Sequence, residues 1–207
     1  KTNEIDYVVR RKPPGKLLPS AHAVDREYKV ITALYETDVP VPKTYGLCED
    51  DDIAGTTFFV MDFLDGDLFW DPMIPSVTNK DRTEIYQNKN KTLAKLHSVD
   101  YKKFGLEDYG KPGNYVARQV SRWSKQYRAS ETDDIEAMNN LIEWLPKNIP
   151  DDDETSIVHG DYRLDNMILK DNKVIGILDW ELSTLGHPIA DFSYHCLSWR
   201  TQEAFWD

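Results

Sequence analysis

His159-Gly160-Asp161-Tyr162-Arg163-Leu164-Asp165-Asn166, followed one hairpin later by Ile177-Leu178-Asp179-Trp180, is the stretch on which the reading of this chain turns. Just upstream, Ser156-Ile157-Val158-His159 is a short strand-like run. Downstream, Met167 to Lys170 and Val174 to Leu178 are two further β-like pieces around Asp171-Asn172, a dipeptide that favours a tight hairpin turn. Two carboxylates and an amide, Asp161, Asn166 and Asp179, are therefore expected at strand ends. Taken singly, these residue types are ordinary turn formers. Their joint spacing carries more.

A catalytic loop of pattern H-R-D-x-x-x-x-N and a later Asp-Phe-Gly serve phosphoryl transfer in protein kinases: the first Asp accepts the substrate hydroxyl proton, and the Asn and later Asp hold Mg²⁺. Asp161 and Asn166 have that spacing, and Asp179 precedes an aromatic residue. The physical need is plain. ATP brings several negative charges, so hard oxygen ligands must hold Mg²⁺ on its phosphates while another carboxylate orients the attacking hydroxyl. Asn166 and Asp179 suit the first task and Asp161 the second.

Outward from this segment the chain changes character once. Tyr7-Val8-Val9-Arg10 is β-branched and aromatic, and Pro13-Pro14-Gly15 stops it. Val24 to Tyr35 carries apolar residues at helical spacing, with Asp25 and Glu27 placed in the first turn. Val39-Pro40-Val41-Pro42 ends that helix, and β-like runs Thr44 to Cys48 and Thr57 to Phe63 flank an acidic turn, Glu49 to Gly55. After Gly66 the periodic segments are mostly helical: Lys80 to His97, Tyr115 to Tyr127 and Asp134 to Leu145. Trp123, Tyr127, Trp144 and Leu145 are expected to belong to the core of this helical part or to a lobe surface, with core packing favoured over ligand stacking. The acidic run Asp151-Asp152-Asp153-Glu154 reads as a solvated loop, since adjacent carboxylates repel and lack orienting partners.

Composition narrows the function classes. The 207 residues suffice for a sizeable core in one domain or two small lobes. A formal net charge of -11 disfavours nucleic acid as a partner. There is no apolar run of membrane-spanning length and no leader-like opening. Cys48 and Cys196 are too few and too isolated for a disulfide framework or a CxxC metal site, which fits a reducing, cytoplasmic setting.

These motifs resemble the aminoglycoside phosphotransferase and choline kinase superfamily, whose signature is H-G-D-x-x-x-x-N followed by I-x-D-W/F. More narrowly, Val158 to Asn166, Ile177 to Trp199 and the opening Tyr7 to Pro19 look like the kinase-like domain linked to acyl-CoA dehydrogenases. The resemblance implies an α+β fold with two lobes: a small, partial, β-rich N-lobe over 1–66, with an interlobe linker at about 60–66, and a larger, mainly helical C-lobe over 67–207. It implies ATP and Mg²⁺, a small hydroxylated substrate such as a hydroxyacyl-CoA-like metabolite, and an acyl-CoA dehydrogenase as neighbour or fused domain. Asp161 takes the place of the catalytic base, and Asn166 and Asp179 those of the metal ligands. Arg10 falls where the phosphate-touching strand lysine stands, with Arg11 or Lys12 as alternatives, and Glu27 falls where the helix acid pairs with it. Guanidinium keeps the charge but changes the geometry. Asp62, Phe63 and Leu64 correspond to the linker positions that meet adenine. Asp191 and His159 correspond to braces of the catalytic loop, and His97 to a structural histidine. Tyr162 to Asp165 depart from the His-Pro-Gly filling of antibiotic kinases, which argues against aminoglycosides. Arg163 either meets an acidic substrate group or braces the loop.

Relatives of this kind cover the phosphates with a turn between two strands that precede the one carrying Arg10, and continue past Trp206-Asp207 with helices that wall the substrate pocket. The expectation is a chain truncated at both ends, weak in nucleotide binding and turnover. Gly15-Lys16 is a turn with a basic residue, since it lacks the first glycine and the hydroxyl residue of a Walker A loop. Two other classes stand beside the kinase reading. One is a kinase-like nucleotide-binding module without catalysis; the other is a metal-dependent hydrolase using His159, Asp161, Asp179 and His187.

Overall fold

The computed structural model describes residues 5–12, 23–197 and 199–200. The Pro13-Pro14-Gly15 stop, the Gly15-Lys16 turn, the end of the opening run at Pro19, and Trp206-Asp207 lie outside the described residues.

Three short strands, β1 (Tyr7–Arg11), β2 (Thr44–Cys48) and β3 (Phe58–Asp62), form an antiparallel sheet in the order β1-β3-β2. The register pairs Val9 with Val60 and Arg10 with Phe59. Along β1 exposed and half-buried residues alternate, so Val8 and Arg10 face inward and Tyr7, Val9 and Arg11 outward. That alternation selects Arg10 over Arg11. Helix α1 (Val24–Tyr35) packs on this sheet through Val24, Val30, Ile31 and Leu34, one stripe at helical spacing, and buries Glu27 on the same face. The acidic turn expected over Glu49 to Gly55 contains a one-turn helix, α2 (Asp51–Ala54): the Asp50 side chain caps the Asp52 N–H and Gly55 closes it in a left-handed conformation.

The helical part holds α3 (Asn79–His97), α4 (Tyr115–Ser130), α5 (Glu136–Trp144) and α6 (Ile189–Leu197), with two small sheets between them. In one, β4 (Ser156–Val158) pairs with β7 (Thr184–Gly186); in the other, β5 (Met167–Lys170) and β6 (Lys173–Ile177) form the hairpin. Asp171 and Asn172 turn it with φ of 50° and 60°, as the dipeptide demands. The Asn172 amide reaches Asp81 and Glu84 in α3, and the Val174 N–H reaches the Asn88 side chain, so α3 carries the hairpin. Strand β7 was not anticipated, because three residues ending in glycine carry no alternation. One apolar core runs through both parts, from Leu34 and Phe59 to Leu96, Met167, Ile177 and Trp180. The α+β reading holds.

Of the core and the lobe surface, Trp123 and Trp144 take the surface. Trp123 and Trp144 are 55% and 57% exposed, and Tyr127 and Leu145 are only half-buried. Helices α4 and α5 bury no residue, so their apolar faces stand outside the core of the described residues. Helical periodicity says that a face is apolar, not what covers it.

The two parts meet along the segment after β3. Asp67 pairs with Leu169 through two backbone hydrogen bonds, of 2.7 and 2.8 Å. On the other side, the Ile177 N–H donates to the Pro40 carbonyl at 2.9 Å. Gly66 is required here by close approach, since a Cβ on it would sit 2.5 Å from the Leu169 carbonyl oxygen. Backbone cannot yield as a flexible side chain can. Gly66→Ala is expected to cost about 1–3 kcal/mol of stability, read as a lowered urea midpoint at unchanged slope.

Candidate active site

The turn after β4 is built around one buried acid. Asp191, in the first turn of α6 and 1% exposed, accepts the His159 N–H at 2.7 Å and the Gly160 N–H at 2.8 Å. His97, at the end of α3, lies 3.1 Å away through Nε2. Gly160 has φ of 85° and a Cβ there would meet the Leu182 carbonyl oxygen at 2.8 Å, so glycine is required on both counts.

His159 is fully buried, and burial lowers its pKa. Its Nδ1 accepts the Asp161 N–H at 3.2 Å, which leaves the proton on Nε2, donated to the Leu178 carbonyl at 2.9 Å. The ring therefore spans the two loops of the motif, and it packs 4.7 Å from the ring of buried Trp180. A second tie, from the Leu178 N–H to the Asn166 carbonyl at 2.9 Å, fixes the same pair of loops.

Within the turn the Asp161 carboxylate is held at both oxygens. Arg163 Nε lies 2.9 Å from Oδ1, and the Asn166 amide donates to Oδ2 at 2.9 Å. Arg163 also pairs with Asp165 at 3.1 Å, so it ties the two acids of the loop together. The Tyr194 hydroxyl also bonds to this carboxylate, which retains acceptor capacity for one incoming hydroxyl. The Asn166 amide nitrogen is spent on Asp161, leaving its Oδ1 as the end able to take a cation.

Asp179 follows β6 with φ of 61°, a left-handed conformation that aspartate tolerates better than most residues. It points to Arg10, whose Nη2 lies 3.2 Å from Asp179 Oδ1. The same guanidinium grips Glu27 with two bonds, of 3.1 and 3.0 Å. Burial works against the Arg10 charge, but the Glu27 bond and the charges of Glu27 and Asp179 outweigh it and raise its pKa. Glu27 is pushed up by burial in spite of Arg10. Asp161, Asn166, Asp179, Arg10 and Glu27 thus form one connected constellation.

The remaining anticipated residues lie along the junction. Asp62 ends β3 and accepts the Tyr45 hydroxyl at 2.7 Å; Phe63 is 53% exposed; Leu64 lies against Gly176 of β6, where a Cβ would strike it. Sequence reasoning missed Arg26, which donates to the Tyr109 and Ser183 carbonyls and stacks 4.4 Å over the Tyr109 ring. It ties α1 to the turn after Asp179, and nothing local marks it apart from its place beside Glu27. Also missed were Lys89 and Tyr194, which have no motif. Among the described residues no group of three or more His, Cys, Asp and Glu is placed to hold a metal, and His187 lies 3.3 Å from Asp152 instead of joining the Asp161 turn. The hydrolase arrangement of His159, Asp161, Asp179 and His187 is therefore not assembled. Two hard oxygen donors, Asn166 and Asp179, fit Mg²⁺ that takes its other ligands from phosphates and water.

A mixed fold with a H-G-D-x-x-x-x-N turn, a following hairpin and an aspartate facing a strand arginine defines the phosphotransferase class. Residues 1–206 match the model of the phosphotransferase enzyme family, APH, and the chain belongs to that family. It is 48% identical over 200 residues to acyl-CoA dehydrogenase family member 10 of Mus musculus, covering 96% of this chain and 19% of that protein. A solved structure from Ralstonia eutropha, assigned to the aminoglycoside phosphotransferases, is 51% identical with a TM-score of 0.87, over 94% of this chain and 58% of that one. The ternary complex of APH(2")-IIa with streptomycin and ATP shares the fold at 21% identity and a TM-score of 0.61, over 90% of this chain and 62% of that one. The chain spans about a fifth to a quarter of the length of the curated relatives it matches.

Two outcomes follow from the buried groups. Asp191→Asn keeps the shape but removes the charge that two backbone N–H groups share, and should lower stability by roughly 2–4 kcal/mol in chemical denaturation. His195 is 7% exposed, and burial, then Lys89, lower its pKa from 6.5 to about 4. Below pH 6.5 the unfolded chain takes up a proton that the folded chain refuses, so stability falls with pH over that window. The loss should reach about 2 kcal/mol by about pH 5, and His195→Gln should flatten the dependence of the urea midpoint on pH.

Proposed function

We propose that this chain is an ATP- and Mg²⁺-dependent small-molecule kinase that transfers the γ-phosphoryl group to an alcohol. Membership in the phosphotransferase family supports the reaction class. The single observation that carries the residue roles is the Arg10 guanidinium held at once by Glu27 and Asp179 while Asn166 binds Asp161, one hydrogen-bonded step away. Phosphates brought to Arg10 would lie beside Asp179 and Asn166, with the acceptor on the side of Asp161.

In this reading Asp161 orients the acceptor hydroxyl and takes its proton. The γ-phosphorus exchanges its bond to the departing ADP oxygen for one to the acceptor oxygen. Arg163 and Asn166 hold the Asp161 carboxylate in one orientation, which is their contribution to positioning. Mg²⁺, when bound, neutralises developing phosphate charge, and Asn166 and Asp179 are the residues that would hold it. Arg10 would neutralise phosphate charge from the opposite side, with Glu27 fixing its fork. His159 and Asp191 support the turn. Asp62, Phe63 and Leu64 offer the edge for adenine, at a linker we place at about 60–66 between a β-rich lobe and a mainly helical one.

Similarity to proteins named as acyl-CoA dehydrogenases supports a hydroxylated acyl metabolite as acceptor, and a dehydrogenase as neighbour or fused partner. That part of the proposal rests on the relatives alone. No helix among the described residues is long and apolar enough to cross a membrane, and Cys48 and Cys196 are free thiols. A reducing cytoplasmic setting is the compartment we assign.

The test is transfer of labelled γ-phosphate from Mg²⁺-ATP to a panel of hydroxylated acids, acyl thioesters and amides. Asp161→Asn should lower kcat by about 10²- to 10⁴-fold while nucleotide binding persists, whereas Asp179→Asn should weaken binding of Mg²⁺-ATP itself. Transfer unchanged by both substitutions would overturn the assignment. Nucleotide binding with no transfer to any acceptor would favour the non-catalytic module.

A further inference from the structure

Beside the Asp161 turn lies a cavity of about 150 Å³, walled by the turn residues Tyr162, Arg163, Leu164 and Asp165, by Lys89 and Tyr86 of α3, and by Tyr194 and His195 of α6. This is the size of cavity that accepts a benzene-sized molecule. Arg163 and Tyr194 connect it to Asp161: the first binds Oδ1, and the second has its phenol pKa raised by burial and then by the Asp161 carboxylate.

Lys89 is the unusual member of this wall. It is 4% exposed, yet among the described residues no carboxylate forms an ion pair with its ammonium. The nitrogen lies 5.5 Å from the centre of the Tyr162 ring and 5.8 Å from that of Tyr86. The other charges of the wall are already engaged. Arg163 binds both Asp161 and Asp165, and Asp165 is thereby compensated. His195 is neutral near pH 7 because burial, and then Lys89, hold its pKa near about 4. Burial pulls Lys89 itself down to about 8, against the attraction of Asp165 and with the repulsion of Arg163. An ammonium kept in a wall at such cost, over two ring faces, is poised for an anion that enters from the cavity.

We propose that Lys89 is the acceptor-selecting cation of this site, and that the acceptor carries, besides its hydroxyl, an anionic group, a carboxylate or a phosphate monoester, seated on the Lys89 ammonium. The proposal rests on the kinase reading, in which the hydroxyl faces Asp161, and it adds a substrate class to it. The tyrosine rings exclude water from the ion pair, while the Asp161–Arg163–Asp165 network stays intact because Lys89, not Arg163, receives the charge.

A matched series isolates the claim: glycerate, glycerol 3-phosphate, glyceramide and glycerol present similar hydroxyls beside a carboxylate, a phosphate, an amide or nothing. Binding by calorimetry and transfer from Mg²⁺-ATP are measured with the wild type, Lys89→Met, Lys89→Arg and Asp161→Asn. The wild type should bind at least one anion about ten-fold or more tightly than either neutral compound, a difference near 1.4 kcal/mol. The carboxylate and phosphate arms then tell which anion is preferred. Lys89→Met should bring the preferred anion to the level of the neutral compounds, and Lys89→Arg should keep the preference. Asp161→Asn should lower transfer by about 10²- to 10⁴-fold while anion binding remains. Equal binding across the series, no binding at all, or a preference that survives Lys89→Met in a protein of unchanged melting temperature overturns the anion seat. Loss of transfer in Asp161→Asn alongside that result would leave the kinase reading standing. Transfer undiminished in Asp161→Asn, with the preference abolished in Lys89→Met, would instead sink the base assignment and keep the seat.

Discussion

The carboxylate of Asp191 is the constraint from which the site is built. A charge that is 1% exposed costs several kcal/mol unless donors surround it. Here the His159 and Gly160 N–H groups and the His97 ring do so, from a loop after β4 and from the end of α3. One side chain therefore satisfies two backbone donors that a left-handed glycine would otherwise leave bare, and joins three elements far apart in sequence. With the turn fixed, His159 has one pose: its ring accepts from Asp161 and donates to Leu178. The two halves of the motif are thereby set at one distance.

The acids of the site are each matched by a partner of suitable shape. Asp161 sits between an amide and a guanidinium; Asp179 meets the Arg10 fork; Glu27, buried, takes two bonds of the same fork. An arginine on β1 accounts for this economy. A lysine ammonium is a point charge and cannot lie flat against one carboxylate while reaching another, whereas guanidinium does both. The arginine at this place thus ties helix α1, strand β1 and Asp179 together through one cation.

Much of this was legible from the chain. The Asp171-Asn172 turn, the stripe of α1 and the six-residue span from Asp161 to Asn166 are local patterns, and local patterns survive into the fold. Arg10 over Arg11 needed the strand register, which follows from which face of β1 meets α1. What the sequence could not show depends on distant pairings. Arg26 acts on carbonyls at Tyr109 and Ser183, Lys89 meets Tyr162, and β7 exists because Ser156 to Val158 offers it an edge. The exposed Trp123 and Trp144 illustrate the converse: amphipathic spacing on α4 and α5 marks an apolar face without naming its cover.

The turn from His159 to Asn166 divides by position into two kinds of residue. His159, Gly160, Asp161 and Asn166 are bound to Asp191, to each other or to the β6 exit, so any change in them moves the Asp161 carboxylate. Tyr162, Arg163, Leu164 and Asp165 fill the span between and line the cavity. They are also where the sequence departs from the His-Pro-Gly filling of antibiotic kinases. Of these middle residues Tyr162 turns away to α3, its hydroxyl donating to the Lys89 carbonyl, whereas Arg163 turns back to the Asp161 carboxylate, so the middle is tied to the ends through one side chain. The family resemblance therefore transfers the reaction far more securely than it transfers the substrate.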